Sequence, residues 1–202
     1  MKNMLKDALI LFAITLVAGL LLGFVNDITT EPIAKAKEEA KQASYRAVFS
    51  DADRFENHGV DENVANAFVT ETGYMPVNID EVMEAYQGEK LLGYVITLTE
   101  HEGYGGDIQF AMGITVDGML NGISLLSISE TPGLGMEAGK VLVPQFANKE
   151  APLFSYTKTG ATNETEIDAI SGATITTSAI VTGVNAGIDY FEEALKGGEA
   201  DE

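Results

Sequence analysis

Eighteen consecutive residues without a charge, Ala8 to Val25, constrain this chain more than any other feature. As a helix they reach roughly 27 Å, about the thickness of a bilayer's hydrocarbon core. Lys2 and Lys6 precede the run, and Asn26 and Asp27 close it. A single membrane-spanning helix is the expectation. A cleaved signal peptide is the other reading, but the run exceeds a typical signal core and no small-x-small cleavage site follows it. Lys2 and Lys6 stand on one side and Lys35 and Lys37 on the other, so the charge count is nearly tied. The expected arrangement is a single-pass protein of the cell (inner or plasma) membrane, with the short tail inside and the large domain outside.

Beyond this anchor, a chain of 202 residues has room for one ordinary folded domain. Its net charge of -19 disfavours nucleic acid as a partner, because phosphate neutralisation needs clustered Lys and Arg. The chain has no cysteine, which excludes disulfides, cysteine-ligated iron–sulfur clusters and thiol catalysis. Its 2 histidines, His58 and His101, lie far apart in sequence, and no metal site is expected. Any redox work therefore falls to an organic cofactor.

Pro32 and a run of alanines (Ala34, Ala36, Ala40, Ala43, Ala47) predict a stalk helix over 31–49. Val82 to Tyr86 and Leu91 to Thr99 flank Gly88-Glu89 and predict a hairpin. Ile108 to Val116 and Met119 to Ser129 flank Asp117-Gly118 and predict a second. A short helix is expected near Ala138 to Phe146, a strand over Phe154 to Thr159, and a long helix from about Thr177 to Leu195. In that helix Ile180, Val184, Ile188, Phe191 and Leu195 recur at helical spacing and should face a core. The fold class is α+β: a mostly antiparallel sheet packed by helices, behind one N-terminal transmembrane helix. The expected boundaries are an anchor over 1–27, a stalk and connecting segment over 28–80, a folded domain over 81–195 and an acidic tail over 196–202.

Three loops are candidates for chemistry. Asp168 to Ser178 holds Ser171-Gly172-Ala173-Thr174-Ile175-Thr176-Thr177, small and hydroxyl-bearing residues at the head of a helix, where the dipole favours an anion. Helix capping accounts for the same residues. Glu130-Thr131-Pro132-Gly133-Leu134-Gly135 follows a strand and could wrap a flat ligand, or simply turn the chain. Gly103-Tyr104-Gly105-Gly106 joins two strands, and Tyr104 could stack on a ring or fill a gap.

Taken together and in order, these three segments resemble the FMN-binding domain of two related membrane proteins. One is the G subunit of the Rnf electron-transport complex; the other is the C subunit of the sodium-pumping NADH:quinone reductase. The resemblance covers residues 82–195 in detail and the rest in layout. It implies FMN joined through its phosphate, as a phosphoester, to Thr174. It places Ser171, Gly172, Ala173, Thr176, Thr177, Glu130, Thr131, Pro132, Gly133, Leu134, Gly135 and Tyr104 around the cofactor. It further implies a flavin transferase that installs the group and reads the upstream Asp168. The family more often has Ser where this chain has Thr177; the hydroxyl is kept. The implied function is that of an electron-carrying subunit of an ion-translocating ferredoxin:NAD oxidoreductase, partnered by integral membrane and redox subunits and without a substrate site of its own. The short chain favours the Rnf branch. The quinone reductase subunit, a free-standing membrane flavin carrier, and a cofactor-free anchored assembly domain are the alternatives.

Overall fold

The computed structural model describes residues 2–61, 64, 65, 68, 71–74, 76–150 and 153–196. Two compact units divide the chain, Met1–Gln42 and Ala43–Glu202. The expected acidic tail lies, apart from Lys196, outside the described residues, as does part of the segment 50–76.

Helix α1 runs without interruption over Lys2–Val48. The anchor and stalk helices, expected on either side of Asn26-Asp27, are thus one helix with Pro32 in its interior. Pro32 removes a single donor from the helical ladder, the one that would reach Ile28. The alanines that follow keep helical propensity high enough for the chain to continue. In the first unit the apolar residues of α1 are exposed, Leu9, Leu20 and Leu22 by more than half. The helix is long and apolar enough to cross a membrane.

In the second unit β1 (Arg54–Asn57), β2 (Val77–Gln87), β3 (Lys90–Glu100), β4 (Ile108–Thr115), β5 (Met119–Ile128) and β6 (Lys149–Glu150) form one sheet. Neighbours in sequence are neighbours in the sheet, and every pair is antiparallel. Both expected hairpins are present, with turns at Gly88-Glu89 and Asp117-Gly118. Alternation along the strands assigns side chains to two faces. Ile96, Leu98, Ile108, Phe110, Met112 and Ile114 line one face and are fully buried. Ala85, Val95 and Ala111, all of modest size, line the other, where Tyr45, Val48 and Phe49 cover them. A register shift between Ile79 and Glu81 lets Ile79 and Val82 share the first face despite their odd spacing.

Helix α3 (Thr174–Tyr190) packs across the first face and ends in a π-helical turn over Phe191–Leu195. The expected stripe of Ile180, Val184, Ile188, Phe191 and Leu195 is buried to 5% exposure or less. Each such side chain contributes on the order of 1.5–3 kcal/mol when buried. Gly183 and Gly187 let the helix sit close to the sheet: a Cβ on Gly183 would lie 2.9 Å from the Phe110 ring, and one on Gly187 would strike the Met112 sulfur. The helix begins three residues before the expected Thr177, which makes Thr174 its first residue. Between β5 and β6 lie a 3-10 turn (Gly135–Glu137), a one-turn helix α2 (Ala138–Val141) and a second 3-10 turn (Val143–Phe146). A separate parallel pair, β7 (Ser155–Thr157) with β8 (Glu166–Asp168), leads into α3.

Candidate functional site

Three connections converge at one end of the sheet: β3 to β4, β5 to the first 3-10 turn, and β8 to α3. Each has a local reason for its shape. In the β5 connection the Leu134 N–H donates to the Thr131 carbonyl at 3.1 Å, with Pro132 second and Gly133, at φ 77°, third in the turn. In the α3 connection the Ala173 N–H donates to the Ile170 carbonyl at 3.0 Å, with Gly172, also at φ 77°, third. Positive φ at that position is what a type II turn requires.

Between these turns lies a cleft of about 410 Å³ lined by Tyr104, Glu130, Thr131, Leu134, Gly135, Gly172, Ala173, Thr174, Ile175 and Thr176. Of the residues expected around a cofactor, nine meet here, drawn from all three segments. Ser171, Pro132, Gly133 and Thr177 do not line it. Pro132 and Gly133 shape the turn, Ser171 is exposed beside it, and Thr177 is wholly buried behind it. Asp168 also stands outside: its carboxylate accepts the Ala161 N–H at 2.6 Å, and its own N–H donates to Gln145 Oε1 at 2.7 Å. Ile175 lines the cleft and is 51% exposed, although sequence reasoning placed no role on it. Its signal was its phase, because it stands outside the stripe that buries Ile180, Val184 and Ile188.

The hydroxyls differ in their freedom. Thr177 Oγ1 accepts the Ile170 N–H at 3.1 Å and donates to the Ala173 carbonyl at 2.9 Å, so it is committed to the turn. Thr176 is 1% exposed and packs against Gly135, where a Cβ would fall 2.6 Å from its oxygen. Thr174 is half-buried, faces the cleft, and has no intramolecular hydrogen bond to its hydroxyl among the described residues. The first intrahelical bond of α3 is the Thr177 N–H to the Ala173 carbonyl at 3.0 Å, and no side chain caps the helix. The N–H groups of Thr174, Ile175 and Thr176 are therefore left without helical partners beside the cleft. An anion at this helix head would meet both those donors and the positive end of the dipole.

The opposite wall is acidic. Glu130 is 7% exposed and its Oε1 accepts the Gly105 N–H at 3.3 Å. Beyond the glycine-rich loop Glu100 is 1% exposed. Burial pushes its carboxyl above the ordinary range, against the opposing effect of the Glu102 N–H that donates to it at 3.0 Å. Next to it His101 Nδ1 lies 2.9 Å from Asp107 Oδ1, at the foot of the same loop.

The segments that build this cleft are shared with known proteins. Residues 103–189 match the FMN-binding domain family, a span that contains all ten cleft residues, and residues 1–48 match the RnfG N-terminal region. Across nearly the whole chain it is similar to the G subunit of the Na(+)-translocating ferredoxin:NAD(+) oxidoreductase complex of Acetobacterium woodii, with 32% identity covering 96% of this chain and 95% of that protein. The chain belongs to the RnfG family. A second member, the G subunit of the proton-translocating ferredoxin:NAD(+) oxidoreductase complex of Clostridium ljungdahlii, is 30% identical over 91% of this chain and 93% of its own. The crystal structure of Shewanella oneidensis NqrC aligns at a TM-score of 0.48 and 16% identity, covering 73% of this chain and 84% of that one. Like other RnfG proteins, this chain is an electron-transfer flavoprotein subunit with an FMN-binding domain. Its apolar N-terminal helix fits a membrane anchor.

The cleft suits FMN on its own terms. The uncapped head of α3 provides backbone donors for a phosphate. Tyr104, Leu134 and Ile175 provide exposed apolar surface for a flat ring system.

Proposed function

We propose that this chain carries FMN covalently, as a phosphoester on the Thr174 hydroxyl, and serves as one electron carrier of a membrane ion-translocating ferredoxin:NAD oxidoreductase complex. The observation that carries the attachment is the contrast among neighbouring hydroxyls. Thr174 opens α3 half-buried at the cleft, with no hydrogen bond to its hydroxyl among the described residues; Thr177 is buried and bonded twice, and Thr176, whose hydroxyl also has no hydrogen bond among those residues, is 1% exposed and packed against Gly135. An ester there sets the phosphate among the free N–H groups of residues 174–176, where the helix dipole favours it.

Bound FMN supplies the electron chemistry; the protein positions it and tunes it. The turn at Thr131–Leu134 walls one side of the cleft, and the turn at Ile170–Ala173 fixes the start of α3. Tyr104, Leu134 and Ile175 exclude water from the ring system. Electrons come from one subunit of the complex and leave to another. A flavin transferase loads the site and reads Asp168, which is exposed and stands outside the cleft, open to a second protein. The domain lies on the extracytoplasmic side of the membrane that the anchor crosses.

The test is the intact mass of the full-length chain purified from its own host and denatured, followed by peptide mapping. The expected result is an added mass of one FMN less one water on the peptide containing Thr174. An unmodified chain, or the group on another residue, overturns the assignment. Because the natural chain has no cysteine, single cysteines introduced on the domain report its side of the membrane through labelling by an impermeant thiol reagent.

A further inference from the structure

Glu130 is the charged residue in the wall of the cleft, and its surroundings do not account for the charge. It is 7% exposed, and no Lys or Arg forms an ion pair with it among the described residues. Among those residues its carboxylate has one hydrogen bond, from the Gly105 N–H, long at 3.3 Å. Around it the backbone is stripped to glycine: a Cβ on Gly103 would lie 2.9 Å from its Oε1, and a Cβ on Gly135 would lie 2.7 Å from its own Cβ. The side chain is thus held firmly where two of the three loops meet.

A purely structural role would be served by glutamine, whose amide oxygen accepts the same N–H. A carboxylate differs from that amide in the charge it brings to the same place, and at short range in a partly desolvated wall that difference is felt. An electron arriving in the cleft adds negative charge, and a fixed carboxylate in a partly desolvated wall opposes it.

We infer that the Glu130 carboxylate lowers the reduction potential of the flavin held in this cleft, acting as a positioned charge rather than as a ligand that retains it. The inference rests on the proposal that FMN is carried on Thr174, and adds to it the residue that sets how readily the loaded chain takes electrons. Glu130 takes no part in bond making; it acts through charge and through the loop that it ties to Gly105.

The test is a spectroelectrochemical titration of the full-length chain, loaded in its own host, as wild type and as Glu130→Gln, Glu130→Met and Glu130→Asp. Flavin per polypeptide is measured first on each. The expected result is that the neutral variants load flavin and titrate at a higher midpoint potential than wild type, while Glu130→Asp, which keeps the charge, stays nearer to it. A loaded neutral variant with the wild-type potential overturns the inference. So does a set in which Glu130→Asp loads and neither neutral variant does, since the carboxylate would then serve loading. A wild-type chain without flavin on Thr174 is a different failure. It sinks the proposed function itself and is seen before any potential is measured.

Discussion

Gly135 and Thr176 meet so closely that a methyl group on Gly135 would lie 2.6 Å from the Thr176 oxygen. That contact joins the loop after β5 to the first turn of α3, and so sets the width of the cleft between them. Gly135→Ala has no room on its other side, where Glu130 Cβ stands 2.7 Å from the same position. Overpacking of this kind costs about 1–3 kcal/mol. The expected outcome is a folded protein with a lowered melting temperature and little flavin, measured as the ratio of flavin to protein absorbance.

Thr174 and Thr177 should separate loading from stability. Thr174→Ala removes a half-buried, cleft-facing hydroxyl with no internal partner among the described residues, so the fold persists and the covalent flavin is lost. Thr177→Val leaves the buried Ile170 N–H without its acceptor. An unsatisfied buried donor costs about 1–3 kcal/mol. Thermal unfolding should show that loss, while mass spectrometry still finds flavin on Thr174.

Asp168 gives a third contrast. Its carboxylate holds one loop N–H, that of Ala161, at an exposed position. Asp168→Ala should therefore lower stability by about 1–2 kcal/mol, too little to unfold the domain. If a transferase reads this residue, the same substitution lowers the fraction of chains carrying flavin by far more than the stability change explains. Full loading of Asp168→Ala would rule that reading out.

Glu100 predicts a pH dependence. Burial raises its carboxyl above the ordinary range in the folded chain, with the Glu102 N–H pulling the other way. A group raised on folding contributes stability that is complete below its unfolded pKa and is lost as pH rises through its folded pKa. Wild type should therefore lose stability relative to Glu100→Gln as the pH rises from the ordinary glutamate value into the raised range. Urea midpoints of the two proteins across that window measure it, and a constant difference would show that Glu100 does not titrate with folding.

Much of this was legible in the residues because the signals were local. Asp117-Gly118 and Gly88-Glu89 specify hairpins by turn chemistry, and the Ile180 to Leu195 stripe specifies a buried helix face by its period. Strands β1, β6 and β8 have at most four residues each and no pattern of their own; they exist because a neighbouring strand pairs with them. The break expected at Asn26-Asp27 fails because polar residues end an apolar run without ending a helix. At the cleft the motifs named most of the lining residues but not their division of labour. Pro132 and Gly133 lie in the motif because the turn needs their backbone angles, and Thr177 because a turn needs its hydroxyl. Ile175 escaped notice because an exposed isoleucine means something only once the cleft beside it is known.

Gly183 and Gly187 sit one turn apart on α3, flush against Phe110 and Met112 and well along the helix from Thr174. A side chain at either position would wedge the helix away from the sheet and carry its first turn outward with it. A complete substitution map scored by flavin content would then show two separate zones of intolerance: one at the cleft, and one on a glycine pair that never touches it. Engineering this scaffold toward a different cofactor would have to leave that distant pair alone, however free it looks from the rim.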